Sequence, residues 1–246
     1  MDETPAAYRT VVMLRDAAPC LVFNKPGGVL TQAVPGVPCF SDWIRAFERE
    51  RAEAPGDIYL GVPHRLDRPV SGAMVFTRNI RATQKVSKQF ADRVVEKTYW
   101  ALVQGQVDGE SGTWRDWMRK VPDEPRAELL PSEHPEAREA VLHYRVLRRD
   151  AFGCWLEVTL ETGRMHQIRL QCASRGHAIL GDEQYGSPVA FGPQEEDRRD
   201  RWIGLHARCL SFLHPQSRER ITVEAPLWQP WLDFRPADFW AQPSPK

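Results

Sequence analysis

The sequence has no pair of cysteines at Cys-x-x-Cys spacing: its five cysteines, at 20, 39, 154, 172 and 209, are odd in number and widely spread. This pattern argues against a disulfide framework or a zinc knuckle and reads as reduced thiols used for packing. Net charge is missing as well, since 33 Lys and Arg are balanced by 33 Asp and Glu. With no overall field to gather a polyanion, nucleic-acid contact would have to rest on a local basic patch. Long hydrophobic runs are absent; Ala73-Met74-Val75-Phe76 is typical of the longest and falls far short of the ~20 residues of a membrane helix. The start, Met1-Asp2-Glu3, lacks the basic-then-apolar order of a signal peptide, and the expected location is the cytoplasm. Repeats and low-complexity blocks are absent too.

What is present is a globular composition: 246 residues, 42% hydrophobic, with nine Trp and ten Phe. That is enough for a sizeable core without covalent staples. Strands are expected over Thr10 to Leu14 and Cys20 to Phe23, joined by a turn at Asp16 to Pro19, and over Ile58 to Val62 and Ala73 to Thr77. Ser41-Asp42 reads as the cap of one helix. Asn79 reads as the cap of another, with Ile80, Thr83, Val86, Ser87 and Phe90 inward and Arg81, Lys85 and Lys88 on the opposite face. Further β signals occupy Glu96 to Val103, Thr113 to Met118, Ala140 to Leu147, Cys154 to Leu160, Gly204 to Leu213 and Ile221 to Val223. Val121 to Arg138 and Pro188 to Arg201 read as loops, Met165 to Ser174 as a helix stopped by Gly176, and Trp228 to Phe234 as a short terminal helix. Many strands with few, non-alternating helices predict an α+β fold with a mixed, mostly antiparallel sheet flanked by helices and loops.

Three clusters could carry chemistry. His64-Arg65-Leu66-Asp67-Arg68 places two guanidiniums and an imidazole around one carboxylate in a loop between strands. A carboxylate flanked by cations is held ionised, which suits a nucleophile or base, although local charge alone fits an ion pair in a turn as well. Gly163-Arg164-Met165-His166-Gln167-Ile168-Arg169-Leu170 enters a helix from a Gly turn, and its donors could cradle a phosphate or simply form an outward polar face. Strand alternation puts Lys97 and Tyr99 on one face, suited to a base stacked beside a phosphate or to a half-buried strand tyrosine. His206 has no ligand partner at metal spacing and reads as a hydrogen-bonded strand residue.

Taken together and in order, these segments resemble the RluA-type RNA pseudouridine synthase family. Phe23-Asn24-Lys25-Pro26-Gly27-Gly28 is similar to its first motif, His64-Arg65-Leu66-Asp67 with Ser71-Gly72 to its catalytic motif, and Gly163-Arg164 through Leu170 to its third. Glu96-Lys97-Thr98-Tyr99 and Gly176 through Gly186 also agree, whereas Val70 stands where many members have Thr. The resemblance implies isomerisation of uridine in structured tRNA or rRNA by a monomer, with no cofactor and no metal. It assigns Asp67 to the reaction at the sugar, Arg169 as its basic partner, Tyr99 to the target base and Leu170 to an apolar wall. Arg65 is implied to fill or stabilise the space a flipped base vacates. Lys25, Arg68, Lys97, Arg164 and His64 are the expected substrate contacts, with the Arg81, Lys85 and Lys88 face as a further one. Only about ten residues precede the first strand, so the expected organisation is a single catalytic domain over residues 1–246 without an S4-like RNA-binding domain. Two other classes remain to be compared. A metal-dependent hydrolase could be built on His64 and Asp67 but lacks clustered carboxylates, and an RNA-binding or ribosome-assembly factor without turnover would have no need of Asp67, Tyr99 and Arg169 together.

Overall fold

The computed structural model describes residues 11–32, 37–53, 56–151 and 153–234. They fall into two compact units, Met1–Lys97 with Ala207–Leu227, and Thr98–His206 with Trp228–Lys246. The first unit is therefore assembled from two stretches far apart in sequence.

In the first unit, β1 (Val12–Ala17) and β2 (Cys20–Lys25) form an antiparallel hairpin closed by Ala18-Pro19. β2 then pairs antiparallel with β3 (Ser71–Thr77), matching Val22 to Val75 and Lys25 to Gly72. β9 (Leu205–Leu213) follows β3 in the sheet order and carries β10 (Arg220–Glu224) antiparallel to it. Every residue of β2 is buried, because both faces of the strand are covered. One face, Cys20 and Val22, packs in a core with Val75, Val86 of α2 (Ile80–Ala91), Leu210 and Phe212. On the other face Phe23 meets Phe40, Phe47 and Phe76 edge to face at centroid distances of 5.9–6.5 Å, a geometry that adds to the area such rings bury.

The helices of this unit start where tertiary pairing allows. Asn79 caps α2 as expected, its side chain accepting from the Ala82 N–H at 2.9 Å. Its buried positions are Ala82, Val86 and Gln89, while Ile80, expected inward, is exposed. α1 (Phe40–Arg51) begins before the expected Ser41-Asp42 cap, with Cys39 as its N-cap. The Phe40 N–H is already bonded to the Leu30 carbonyl at 2.8 Å, which turns Phe40 into the aromatic core one residue early. The strand expected over Ile58 to Val62 reduces to one bridge, Gly61 with Thr77. There the Thr83 and Thr77 hydroxyls crowd Gly61, 2.0 and 2.4 Å from where a Cβ would lie.

The second unit is an antiparallel sheet in the order β4 (Glu96–Gln104), β8 (Gly153–Leu160), β7 (Arg138–Asp150), β5 (Ser111–Lys120), β6 (Ala127–Leu129). The short β6, inside a segment expected to be loop, pairs Leu129 with Met118. α3 runs Gln167–Ala173, shorter than expected, because His166 before it is left-handed at φ 53°. α4 (Gln229–Asp233) buries Trp231 against Phe191 and His206. No helix among the described residues is long and apolar enough to cross a membrane.

Candidate active site

In the first unit, residues 62–70 form the irregular link into β3, and it is tied down by buried polar groups rather than by packing alone. Thr31 is the first tie: its hydroxyl donates to the Leu66 carbonyl at 2.8 Å and accepts from the Leu66 N–H at 3.3 Å. Leu66 itself is buried, which leaves Arg65 exposed and Asp67 half-buried. His64 is the second tie, accepting from the Val75 N–H through Nε2 at 3.0 Å and stacking on Phe90 at 4.3 Å between centroids. Burial, and then the charge of Lys97, push its pKa down to about 3, so the ring is neutral. Lys97 itself is lowered by burial.

Lys25 is the third tie and corrects an expectation. It was expected to contact phosphate, yet it is fully buried. Its ammonium donates to the carbonyls of Val70 at 2.8 Å, Pro26 at 2.9 Å and Arg68 at 3.1 Å, with the Asp67 carbonyl at 3.4 Å. Three N–H groups are thus spent on three close main-chain oxygens, and none is left for an RNA phosphate. Arg68 donates through Nε to the Gly28 carbonyl at 3.1 Å, tying the loop to the turn after β2. The Val70 N–H closes a turn onto the Asp67 carbonyl at 3.1 Å. Gly72 ends the segment at φ 121°, where a Cβ would stand 2.4 Å from the Ala207 carbonyl oxygen; only glycine lets β3 lie so close to β9.

The second unit holds the other expected residues. Tyr99 lies half-buried on β4, paired with Val158. Arg169, on α3, is buried and grips Asp182 with two bonds, Nε to Oδ2 at 2.6 Å and Nη2 to Oδ1 at 2.7 Å. Nη2 also donates to Gln184 at 2.8 Å, and the guanidinium lies 5.0 Å from the centre of the Tyr185 ring. Arg164 donates to the Glu139 carbonyl at 2.9 Å. Leu170, expected as a substrate wall, packs with Met118, Ala127 and Ala140 in a core cluster.

The anion cradle expected at the start of α3 is not built. The helix has only seven residues, His166 is engaged by the Tyr185 hydroxyl at 2.9 Å, and Arg169 faces a carboxylate. On α2, Lys85 donates to the Pro215 carbonyl and Lys88 pairs with Asp92, while Arg81 is exposed. Among the described residues no group of three or more His, Cys, Asp or Glu could hold a metal ion. Sequence reasoning gave no role to Asp182, Thr31 or Gln167. Gln167 Oε1 accepts from the Thr162 hydroxyl and from the Arg164 N–H, closing the turn before α3. Asp182 carried a signal, standing inside the Gly176 to Gly186 segment that matches the family.

Residues 19–174 match the family model described as RNA pseudouridylate synthase. An uncharacterised RNA pseudouridine synthase of Synechocystis sp. is 34% identical over 84% of this chain and 62% of its own length. The dual-specificity RNA pseudouridine synthase RluA of Vibrio vulnificus is 34% identical over 89% of this chain and 80% of its own. The chain spans 54–63% of the length of the first three curated relatives it matches. Among solved structures, human RNA pseudouridylate synthase domain containing 4 superposes with a TM-score of 0.72 at 22% identity, covering 90% of each chain, and this shows the fold.

Proposed function

The chain belongs to the RluA-type RNA pseudouridylate synthase family, and from that premise we propose that it isomerises uridine in structured RNA, tRNA or rRNA, to pseudouridine. In that reaction uracil leaves C1′, turns and is rejoined through C5, and the protein supplies an ionised carboxylate at the sugar. Asp67 is that carboxylate. The observation that supports this best is the loop around it: Thr31, His64 and Lys25 each commit a polar side-chain atom to its backbone or to the strand it enters, those of Thr31 and Lys25 fully buried. A surface ion pair in a turn would need no such fixing, whereas a reacting group must be held to within a fraction of an ångström. The resemblance supports a role for Tyr99 against the target base and for Arg169 as the basic partner of Asp67. The exposed Arg65 is the side chain available to a base-paired substrate. The favoured substrate is a stem-loop, where a base leaves its stack at least cost, bound by a monomer in the cytoplasm.

The test is release of label from C5 of uridine in total tRNA and rRNA, with wild type and Asp67→Asn, beside a filter-binding measurement. The substitution preserves shape and removes the charge, so turnover should fall by about a thousandfold or more with RNA affinity kept. Turnover within about tenfold of wild type would remove Asp67 from the chemistry.

A further inference from the structure

We propose that a groove at the start of α2 is a second contact site for the substrate RNA, one that takes an unpaired base against Tyr59 and the neighbouring phosphates against Arg81 and Lys85, outside the stem-loop that carries the reacting uridine. This deepens the reading above and rests on the chain acting on RNA.

The groove has a volume of about 690 Å³ and lies wholly in the first unit. It opens where β3 hands over to α2, between Tyr59, the first turns of the helix and the turn between β9 and β10 at Pro215 and Gln216. β3 runs from Ser71, where the Asp67 loop enters it, to Thr77 beside the groove, so the two sites stand about 20 Å of strand apart.

Three observations point to a nucleotide. The first is apolar surface: of the five large hydrophobic side chains exposed among the described residues, Tyr59 and Ile80 both line this groove. The outward turn of Ile80, which helical spacing alone would bury, places it there. The second is charge: Arg78, Arg81 and Lys85 line the groove and no Asp or Glu does among the described residues, although the chain as a whole is neutral. Arg78 is spent on Asp16 and Glu48. The exposed Arg81 side chain has no hydrogen bond or ion pair among the described residues. Lys85 gives one N–H to the Pro215 carbonyl at 2.9 Å, which holds the ammonium in place with two donors left. The first turn of α2 has no acidic residue either, so the helix dipole adds to the attraction for an anion. The third is preorganisation: the Tyr59 hydroxyl is 2.9 Å from the Thr83 hydroxyl, and Thr83 is held by the Thr77 hydroxyl at 2.6 Å and the Asn79 carbonyl at 3.0 Å. The ring is anchored by its polar end and loses little freedom when a base stacks on it. An aromatic ring beside a free guanidinium and an ammonium matches the two halves of a nucleotide, base and phosphate. An acidic peptide would use the cations and leave the ring without a matching face.

The experiment uses the full chain as wild type, Tyr59→Leu, Tyr59→Trp, Arg81→Gln and Arg93→Asn. The last removes a cation at the far end of α2 and suits the left-handed backbone there. Release of label from C5 is measured on a full-length RNA that wild type modifies and on the stem-loop cut from it around the modified uridine, beside filter binding over a range of salt. On the full-length RNA, Tyr59→Leu should raise KM about tenfold with kcat within about twofold, and Tyr59→Trp, which keeps a stacking face, should stay within about threefold of wild type. Arg81→Gln should raise KM about fivefold and make the slope of log affinity against log salt shallower by about 0.7. Arg93→Asn should stay within about twofold of wild type, and on the stem-loop all four variants should match it. A Tyr59→Leu enzyme with wild-type KM overturns the proposal. So does an equal loss on the stem-loop, which would mean a disturbed fold or reaction loop, or an Arg93→Asn loss as large as that of Arg81→Gln, which would mean a diffuse field. If Tyr59→Leu does not fold, the exposed Arg81→Gln decides by KM and salt slope. RNA affinity unchanged in every variant, with a polyglutamate peptide bound more weakly by Arg81→Gln than by wild type, would give the groove to an acidic protein and refute the RNA contact. If wild type modifies no RNA, the activity reading has failed, and the groove is judged by binding of a fluorescent single-stranded oligouridylate: weakening by about tenfold in Tyr59→Leu supports it, and unchanged affinity refutes it.

Discussion

Lys25 and Arg169 are both buried cations, and the two units hold them in opposite ways. Lys25 donates to carbonyl oxygens, partial charges that take up its protons, and the charge of Asp67 favours it as well. Arg169 meets a full carboxylate through a two-point fork, with Gln184 and the Tyr185 ring around it. The residue types follow from this difference. A guanidinium keeps its proton in any protein and matches a carboxylate bidentately, so the Arg169–Asp182 pair is fixed by geometry. An ammonium can give up its proton when buried, and burial brings the Lys25 pKa down to about 7.

The largest effect should come from breaking the paired site. Asp182→Ala leaves the Arg169 charge buried without its carboxylate, and stability should fall by about 3–5 kcal/mol, read from denaturant midpoints. A cost below about 1 kcal/mol would mean that Gln184 and neighbouring groups satisfy Arg169 without Asp182. The middle effect sharpens the carbonyl-tied side. Thr31→Val keeps the shape but orphans the buried Leu66 N–H and carbonyl, costing about 1–3 kcal/mol. Turnover should fall more than RNA affinity, since the loop rather than the exposed Arg65 is disturbed.

The effect that is smallest at neutral pH, where its pH dependence vanishes, concerns His64. Its folded pKa, about 3, lies below the ordinary 6.5, so the folded state resists protonation. The stability this contributes is complete above pH 6.5 and is lost as pH falls from there toward 3. Its slope is at most about 1.4 kcal/mol per pH unit. His64→Gln keeps an acceptor for the Val75 N–H without the titration. The difference between the two unfolding curves should therefore change with pH only below about 6.5. A parallel pair of curves down to pH 4 would show that His64 is solvated when folded.

The strands were legible because alternation and β-branched runs survive as local signals. Cys20 to Phe23, Glu96 to Val103 and Cys154 to Leu160 lie within β2, β4 and β8. The helix starts were less so: Phe40 enters α1 because of a bond to Leu30, which no local pattern encodes. The reacting loop could be placed from His64 to Gly72 by composition, but the direction of Lys25 could not. A lysine at a strand end reads as a surface cation, and only the burial of both faces of β2 turns it inward. Arg169 was legible as a site residue and its hold on Asp182 was not, since thirteen residues and a change of element separate them. α2 failed on one position, Ile80, where helical spacing placed inward a side chain that the capped first turn leaves outside.

That the first unit draws on two stretches far apart in sequence has a consequence for the order in which a ribosome can finish this protein. The Asn24 side chain donates to the Pro226 carbonyl, 202 residues away, and β10 joins only after β9 has been made. β2, apolar and buried on both faces in the finished unit, must wait through the synthesis of Thr98–His206 before its last partners emerge. By then the sheet from β4 to β8 is complete except for the docking of α4. Nascent chains stopped after residue 206 should therefore carry a protease-resistant second unit and an exposed hairpin β1–β2, the segment a chaperone would hold.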